Sequence, residues 1–351
     1  MYEQEAGRLP GRILIIKSYL YISVLVFLMM SALAGCDNAG SALPPPEMKP
    51  GYYHAGYEGL TDKGAAFLVC GTGGRLDRVY EDGVLENIPL PIGDKDLTSV
   101  FVGEDITLVG GLSGALVYSR DGKSFESSKG TGGEHTMGLT QFAGRYYACT
   151  NSGKILSSAD GMSWITGKQL ADKPLIAIAA NDSNIMAITQ DTDIFISADG
   201  NNWESKNYNE IYYGLAESQT FLNIVNLGES FYILGDTYEN PGAPAIMYSY
   251  DSGESWMYVV SREINDRPPE EFYPIRAYSA CLFGGDLLAA CSGGRVLTYT
   301  DCPSCNKISE TSAADLRCIV NNDSIVLVAG DNFEYAMLTA EDFLNSGVST
   351  D

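Results

Sequence analysis

Short apolar runs, each closed by Gly, Asn or Asp, recur along most of the chain. This pattern predicts short strands joined by tight hairpins. Residues 97–102, 105–110, 115–119 and 124–127 are the clearest set of four such runs. Between the third and fourth run of a set stands a Ser-Xaa-Asp-Gly turn, with an aromatic residue three positions past the Gly. Ser158-Ala159-Asp160-Gly161 leads to Trp164, Ser119-Arg120-Asp121-Gly122 to Phe125, and Ser197-Ala198-Asp199-Gly200 to Trp203. Ser249-Tyr250-Asp251-Ser252-Gly253 leads to Trp256, and a weaker copy stands at Tyr80-Glu81-Asp82-Gly83. Asp82, Asp121, Asp160 and Asp199 are 39 residues apart throughout. A fixed period of this length marks a repeat architecture.

Alignment on these turns gives seven repeats, at about 52–90, 97–128, 135–166, 174–205, 219–259, 273–308 and 314–343. The last two have decayed turns, at Tyr299-Thr300-Asp301 and Thr339-Ala340-Glu341. Seven four-stranded units predict an all-β fold, a closed seven-bladed β-propeller of antiparallel blades, because closure removes the exposed sheet edges. The seventh repeat lacks a fourth run, and residues 48–58 are expected to pair there and close the ring. Almost no helix is expected outside residues 10–34. The turn residues read as structural. Gly supplies a positive φ, while Asp and Ser accept hydrogen bonds from turn amides. Ser119, Asp121, Ser158, Asp160, Ser197, Asp199, Ser249 and Asp251 take this role, and Trp164, Trp203 and Trp256 are expected to pack onto their blades.

These four turns resemble those of the BNR/Asp-box propellers, a superfamily that includes sialidases, sortilin-type receptors and seven-bladed photosystem II assembly-factor-like proteins. The resemblance covers about residues 52–343 and speaks to fold, since one fold hosts many functions. Sialidase chemistry needs an arginine triad and a Tyr/Glu pair with a separate acid. The Phe/Tyr-Arg-Ile-Pro motif of that family is missing, and Tyr273-Pro274-Ile275-Arg276 only permutes its letters.

The N-terminus reads as an export signal. Arg8, Arg12 and Lys17 form a basic region, and residues 19–30 are apolar. Leu33-Ala34-Gly35-Cys36 resembles the lipobox of bacterial lipoproteins. The resemblance implies cleavage before Cys36, lipidation of its sulfur and attachment to the extracytoplasmic side of a bacterial membrane. Small residues before the cleavage point fit a signal peptide better than a spanning helix. The expected organisation is therefore a signal peptide over 1–35, a lipidated Cys36 with a Pro-rich tether over 36–51, and the propeller over 52–351. Pro44-Pro45-Pro46 and Pro50 make that tether semi-rigid.

Composition narrows the partners. The chain has 45 acidic against 22 basic residues, a net charge of −23. Nucleic acid and anionic headgroups would repel such a surface. A membrane contact is expected through the lipid anchor, and a protein or carbohydrate ligand is expected elsewhere. Of eight cysteines, Cys70, Cys149 and Cys291 close equivalent apolar runs and read as buried free thiols. Cys302-Pro303-Ser304-Cys305 reads as a local disulfide. His54 and His135 are the only histidines. No metal, cofactor or catalytic triad signature is present.

Two features select a binding face. Residues 206–218, 236–245 and 261–272 are long insertions on one face, carrying Tyr212, Tyr238 and Glu271, with Tyr273 just beyond. Long loops on a rigid scaffold are common carriers of binding. Arg75 and Arg295 follow Gly-Gly pairs, and Arg276 and Arg317 are placed second in the innermost strands of their repeats. Gathered at the channel mouth, four guanidiniums would recruit an anionic group. The alternative is that each pairs with a nearby Asp or Glu. The sequence thus points to a membrane-anchored, non-catalytic binding propeller. The alternatives are an assembly or scaffold factor for a membrane complex, or a sialidase-like glycoside hydrolase.

Overall fold

The computed structural model describes residues 46–207, 219–237, 245–259, 275–299, 307–310 and 314–345. Within them lie seven antiparallel sheets, each built from strands consecutive in sequence. Blade I holds β1 (Tyr52–Thr61), β2 (Gly64–Gly71), β3 (Leu76–Tyr80) and β4 (Leu85–Asn87). Blade II holds β5 (Leu97–Val102), β6 (Thr107–Gly111), β7 (Leu116–Ser119) and β8 (Glu126–Ser127). Blade III holds β9 (Thr136–Phe142), β10 (Arg145–Thr150), β11 (Lys154–Ser158) and β12 (Trp164–Gln169). Blade IV holds β13 (Leu175–Ala180), β14 (Ile185–Thr189), β15 (Asp193–Ser197) and β16 (Glu204–Asn207). Blade V holds β17 (Gln219–Leu227), β18 (Ser230–Thr237), β19 (Ala245–Ser249) and β20 (Met257–Tyr258). Blade VI holds β21 (Ala277–Phe283), β22 (Asp286–Cys291), β23 (Arg295–Tyr299) and β24 (Lys307–Glu310). Blade VII holds β25 (Leu316–Asn321), β26 (Ile325–Gly330) and β27 (Tyr335–Thr339), followed by the short helix α1 (Ala340–Asn345).

The first strand of each blade touches the first strand of the next, and β25 touches β1, so the ring is closed. The chain is a seven-bladed β-propeller. The second strands show why the apolar runs are continuous. All but one residue of β2, and every residue of β6, β14 and β26, is buried, because both faces of each sheet meet a neighbouring blade. One apolar cluster fills each of the seven seams. Leu68, Leu76, Val100 and Val117 fill the seam between blades I and II, and Val69, Phe67, Leu327 and Ala329 that between VII and I. Cys70, Cys149 and Cys291 are fully buried free thiols within these seams. Burial pushes the thiols of Cys149 and Cys281 up to about 12, leaving them protonated.

Residues 48–58 do not supply a fourth strand to blade VII. Tyr52–Thr61 is the inner strand of blade I instead. Gly51 bridges to Asp331, and Asn332 N–H donates to the Pro50 carbonyl. Closure therefore runs through the inner end of blade VII, and α1 takes the place after β27.

The Ser-Asp-Gly turns join the third and fourth strands. Asp160 Oδ1 accepts from the N–H groups of Met162 and Ser163 at 2.9 and 2.8 Å, and Ser158 Oγ accepts from Gly161 N–H at 2.9 Å. The turn at Asp199 repeats this with Asn201 and Asn202. The backbone N–H groups of Ser124 and Lys123 hold the Asp121 carboxyl down at about 2. Each turn also packs on the preceding blade. Gly161 has φ 74°, and a Cβ there would stand 2.6 Å from Ile106 Cδ1; at Gly200, φ 73°, it would stand 2.1 Å from Tyr147 Oη. Arg78 holds Glu58 through two nitrogens and donates to the Gly122 carbonyl at 2.5 Å, tying blade I to the turn of blade II.

Trp164 and Trp256 are 4% and 2% exposed, and Trp203 is half-buried. Trp164 Nε1 donates to the Gly161 carbonyl at 2.9 Å. Trp164→Ala is expected to cost about 3–5 kcal/mol in urea unfolding, and Trp203→Ala clearly less. Equal losses for the two variants would contradict this burial order.

Candidate functional site

All seven inner strands carry a β-bulge near their start. The register jumps by one between Tyr52 and His54, Leu97 and Ser99, and Leu175 and Ala177. The same jump falls between Phe221 and Asn223, Ala277 and Ser279, and Leu316 and Cys318, and opposite Cys149 and Thr150 it spans Thr136 to Gly138. The skipped residues are Tyr53, Thr98, Met137, Ile176, Leu222, Tyr278 and Arg317. A bulge re-aims a side chain without ending the strand. All seven residues line one cavity of about 300 Å³ on the propeller axis. Its position at the starts of the inner strands puts it at the end of the ring that also carries the turns between second and third strands.

The ring of bulged residues has two chemically distinct arcs. Blades III, IV and V present Met137, Ile176 and Leu222, with Leu139, Ile178 and Ile224 also on the wall. Blades VI, VII and I present Tyr278, Arg317 and Tyr53. The Arg317 guanidinium lies 4.3 Å from the Tyr278 ring centre and 5.7 Å from that of Tyr53. Asp331 takes two hydrogen bonds from Arg317, at 2.8 and 3.1 Å, and Asp315 stands 3.3 Å away. Burial is the largest influence on Arg317 and opposes its charge, but the hydrogen bonds to Asp331 together with the charge interactions with Tyr278, Asp331 and Asp315 outweigh it and hold the group above the ordinary arginine value. Tyr278 donates to Asp315 at 3.0 Å, and burial with that carboxylate pushes its phenol up to about 12. Pro46, Glu47 and Met48 form a further part of the wall, ahead of Tyr53, whose hydroxyl donates to the Lys49 carbonyl at 3.1 Å.

The four arginines singled out from the sequence do not act alike. Arg317 alone among them lines the cavity. Arg276 precedes β21 and pairs with Asp236 at 2.8 Å; the bulged position in blade VI belongs to Tyr278, two residues further on. Arg75 pairs with the fully buried Asp77 and lies 4.7 Å from the Phe333 ring centre. Asp77 also accepts from Tyr52 at 2.5 Å and Asn87 at 2.8 Å. Arg295 opens β23 behind the Gly293–Gly294 turn. The repulsion that motivated an anion site is thus relieved within the protein at Arg75, Arg276 and Arg317. Cys36, Tyr212, Tyr238, Glu271, Tyr273, Cys302 and Cys305 lie outside the described residues. Among the described residues, no group of three or more His, Cys, Asp or Glu side chains is arranged to hold a metal ion.

Sequence reasoning missed Tyr53 and Tyr278. A signal for them exists. In blades II, III, IV, VI and VII a small residue follows the bulged one: Ser99, Gly138, Ala177, Ser279 and Cys318. Aligning on that residue sets the phase of blade VI correctly.

No family model and no curated protein matches the sequence. Solved structures do match the fold. YCF48 bound to D1 peptide is 14% identical, with a TM-score of 0.61 over 85% of this chain and 96% of that one. Virginiamycin B lyase from Staphylococcus aureus is also 14% identical, with a TM-score of 0.63 over 85% and 97%. The extracellular domain of BT4673 from B. thetaiotaomicron is 9% identical, with a TM-score of 0.59 over 86% of this chain and 38% of that one. Identities this low establish a shared propeller fold.

His54 also lines the cavity, and its Nδ1 accepts weakly from Val100 N–H at 3.4 Å. Burial lowers its pKa from 6.5 to about 4. The unfolded chain then binds the proton more readily than the folded one, so stability is full above about pH 6.5 and falls as pH drops toward 4. The loss is at most about 3 kcal/mol, and smaller to the extent that water enters the cavity. Thermal melts between pH 7 and 4 should show a steeper decline for the parent than for His54→Gln. Parallel declines would exclude His54 as the source.

Proposed function

We propose that this chain is a non-catalytic binding propeller, anchored on the extracytoplasmic side of a bacterial membrane, that takes a protein or glycan partner at its axial cavity. The observation that carries the reading is the ring of seven bulged side chains. Seven separate strand distortions aim seven side chains at one space, and the apolar arc faces a Tyr–Arg–Tyr arc across it. Such a mix of apolar surface with a few fixed polar groups is the usual make-up of a ligand pocket. Among the described residues, the two carboxylates nearest the wall, Asp331 and Asp315, are both engaged by Arg317. Anchoring rests on the lipobox-like Leu33-Ala34-Gly35-Cys36, and the exported location on that segment together with the extracellular neighbour of the same fold. YCF48, a neighbour in fold, is bound to D1 peptide, which favours a protein partner here, and the assembly or scaffold role that the Asp-box resemblance implies is the second reading.

Two experiments test this reading. Cys36→Ala should move the protein out of the membrane fraction after cell lysis; unchanged fractionation would remove the lipid anchor. Crosslinking and pull-down from native membranes should recover a partner that is lost with Ile176→Asp and with Leu222→Asp. The thermal midpoint of each variant checks that the fold survives. Full recovery of the partner by both folded variants would place its binding elsewhere.

A further inference from the structure

The charge balance of the cavity and the segment on its rim together narrow the ligand, given that the axial cavity is the binding site. Arg317 brings one positive charge to the wall and Lys49 stands 4.0 Å from Asp331, while Asp331 and Asp315 set two negative charges within 3.3 Å of Arg317. Glu47 stands on the same wall. An anion entering here would meet net negative charge, in a chain that is already acidic. The contacts to Asp331 and Asp315 run through Nε and Nη2 of Arg317, and its Nη1 has no partner among the described residues. A neutral acceptor such as a peptide carbonyl can take that donor without displacing either aspartate. Beside it, Tyr53 and Tyr278 give two aromatic faces, and across the cavity Met137, Ile176 and Leu222 give an aliphatic one. Aromatic-lined grooves suit proline-bearing segments, whose extended conformation costs little entropy to hold. The chain already places such a segment there, since Pro46 and Met48 form part of the wall and follow Pro44-Pro45 in sequence.

We propose that the axial cavity binds a neutral, proline-bearing, extended peptide segment of a partner protein, and that Pro46 and Met48 of the same chain compete for the same rim. The cavity of about 300 Å³ admits one or two apolar side chains of that segment at a time. A competitor on the same chain acts at high effective concentration, so removing it should raise affinity for a free peptide.

The probes are fluorescent hexapeptides: Leu-Pro-Pro-Pro-Gln-Met, its Glu counterpart copied from residues 43–48, and a Gly-Ser control. They are titrated into the full chain, the double variant Pro46→Gly/Met48→Gly, and that variant carrying Leu222→Asp. The double variant is expected to bind the Gln peptide at least about tenfold more tightly than the parent does. The Glu peptide should bind more weakly than the Gln peptide, the control should not bind, and Leu222→Asp should abolish binding with the thermal midpoint retained. Equal affinity of parent and double variant, or absence of binding to the double variant, would overturn the proposal. Preference for the Glu peptide would overturn it in favour of an anion site, and displacement of the native partner by neutral oligosaccharides but not by peptide would do so in favour of a glycan. A partner captured in a Leu222-dependent way while every peptide fails would leave the binding function standing and remove this ligand class alone.

Discussion

Everything in this structure depends on each blade burying both of its faces against its neighbours. A single four-stranded sheet of this length could not shelter β2 or β26, whose residues are apolar on both sides. Only a closed ring gives every such strand two partners. The seam between blades VII and I therefore carries more than its share. Phe67 and Val69 meet Leu327 and Ala329 there, while Gly51 bridges to Asp331 and Pro50 receives the Asn332 N–H. The Ser-Asp-Gly turns serve the same end. Their aspartates satisfy turn amides, and their glycines press on the preceding blade where a Cβ has no room.

Ring closure also creates the site. Inner strands crowded about an axis need to bend at the end where the chain enters, and a bulge bends a strand while turning one side chain out of register. Repeated seven times, the distortion lines the mouth with seven side chains, of which Met137 and Ile176 also border the apolar seams and Thr98 donates to the Thr136 carbonyl of the next blade. The seven positions hold Met137, Ile176 and Leu222 on one arc, Tyr278, Arg317 and Tyr53 on the other, and Thr98 between the two on blade II. Asp331 has a part in both structures, since it bridges to Gly51 at the closure and fixes Arg317 in the cavity. Stability of the ring and geometry of the site are coupled through that one carboxylate.

The electrostatics follow the same division. The exposed turn carboxylate of Asp121 is held ionised by backbone N–H groups. The buried groups near the axis are neutral or paired: Tyr278 stays protonated, His54 stays neutral, and Arg317 is balanced by acids. A site of this kind recognises shape and neutral hydrogen bonding more than charge, despite the large net charge of the chain.

The repeat period and the turn residues were enough to determine the number of blades, the strand order within a blade and the burial of Cys70, Cys149 and Cys291. These properties are local, because hairpins and apolar runs are written in neighbouring residues. The channel mouth was only half legible. Arg317 occupies the inner-strand position expected of it, yet the place expected for Arg276 belongs to Tyr278. A bulge shifts register by one residue, which one strand read alone does not show; the small residue after it becomes informative only when the repeats are compared, and pairing with the second strand fixes it. The pairing of Arg276 with Asp236 and the arrival of Pro46 and Met48 at the cavity join residues on different blades or far apart in the chain, whereas Arg317 and Asp331 pair within blade VII. The seven bulged positions share one cavity only once the blades are assembled in a ring, so tertiary structure decided which side chains meet on the axis.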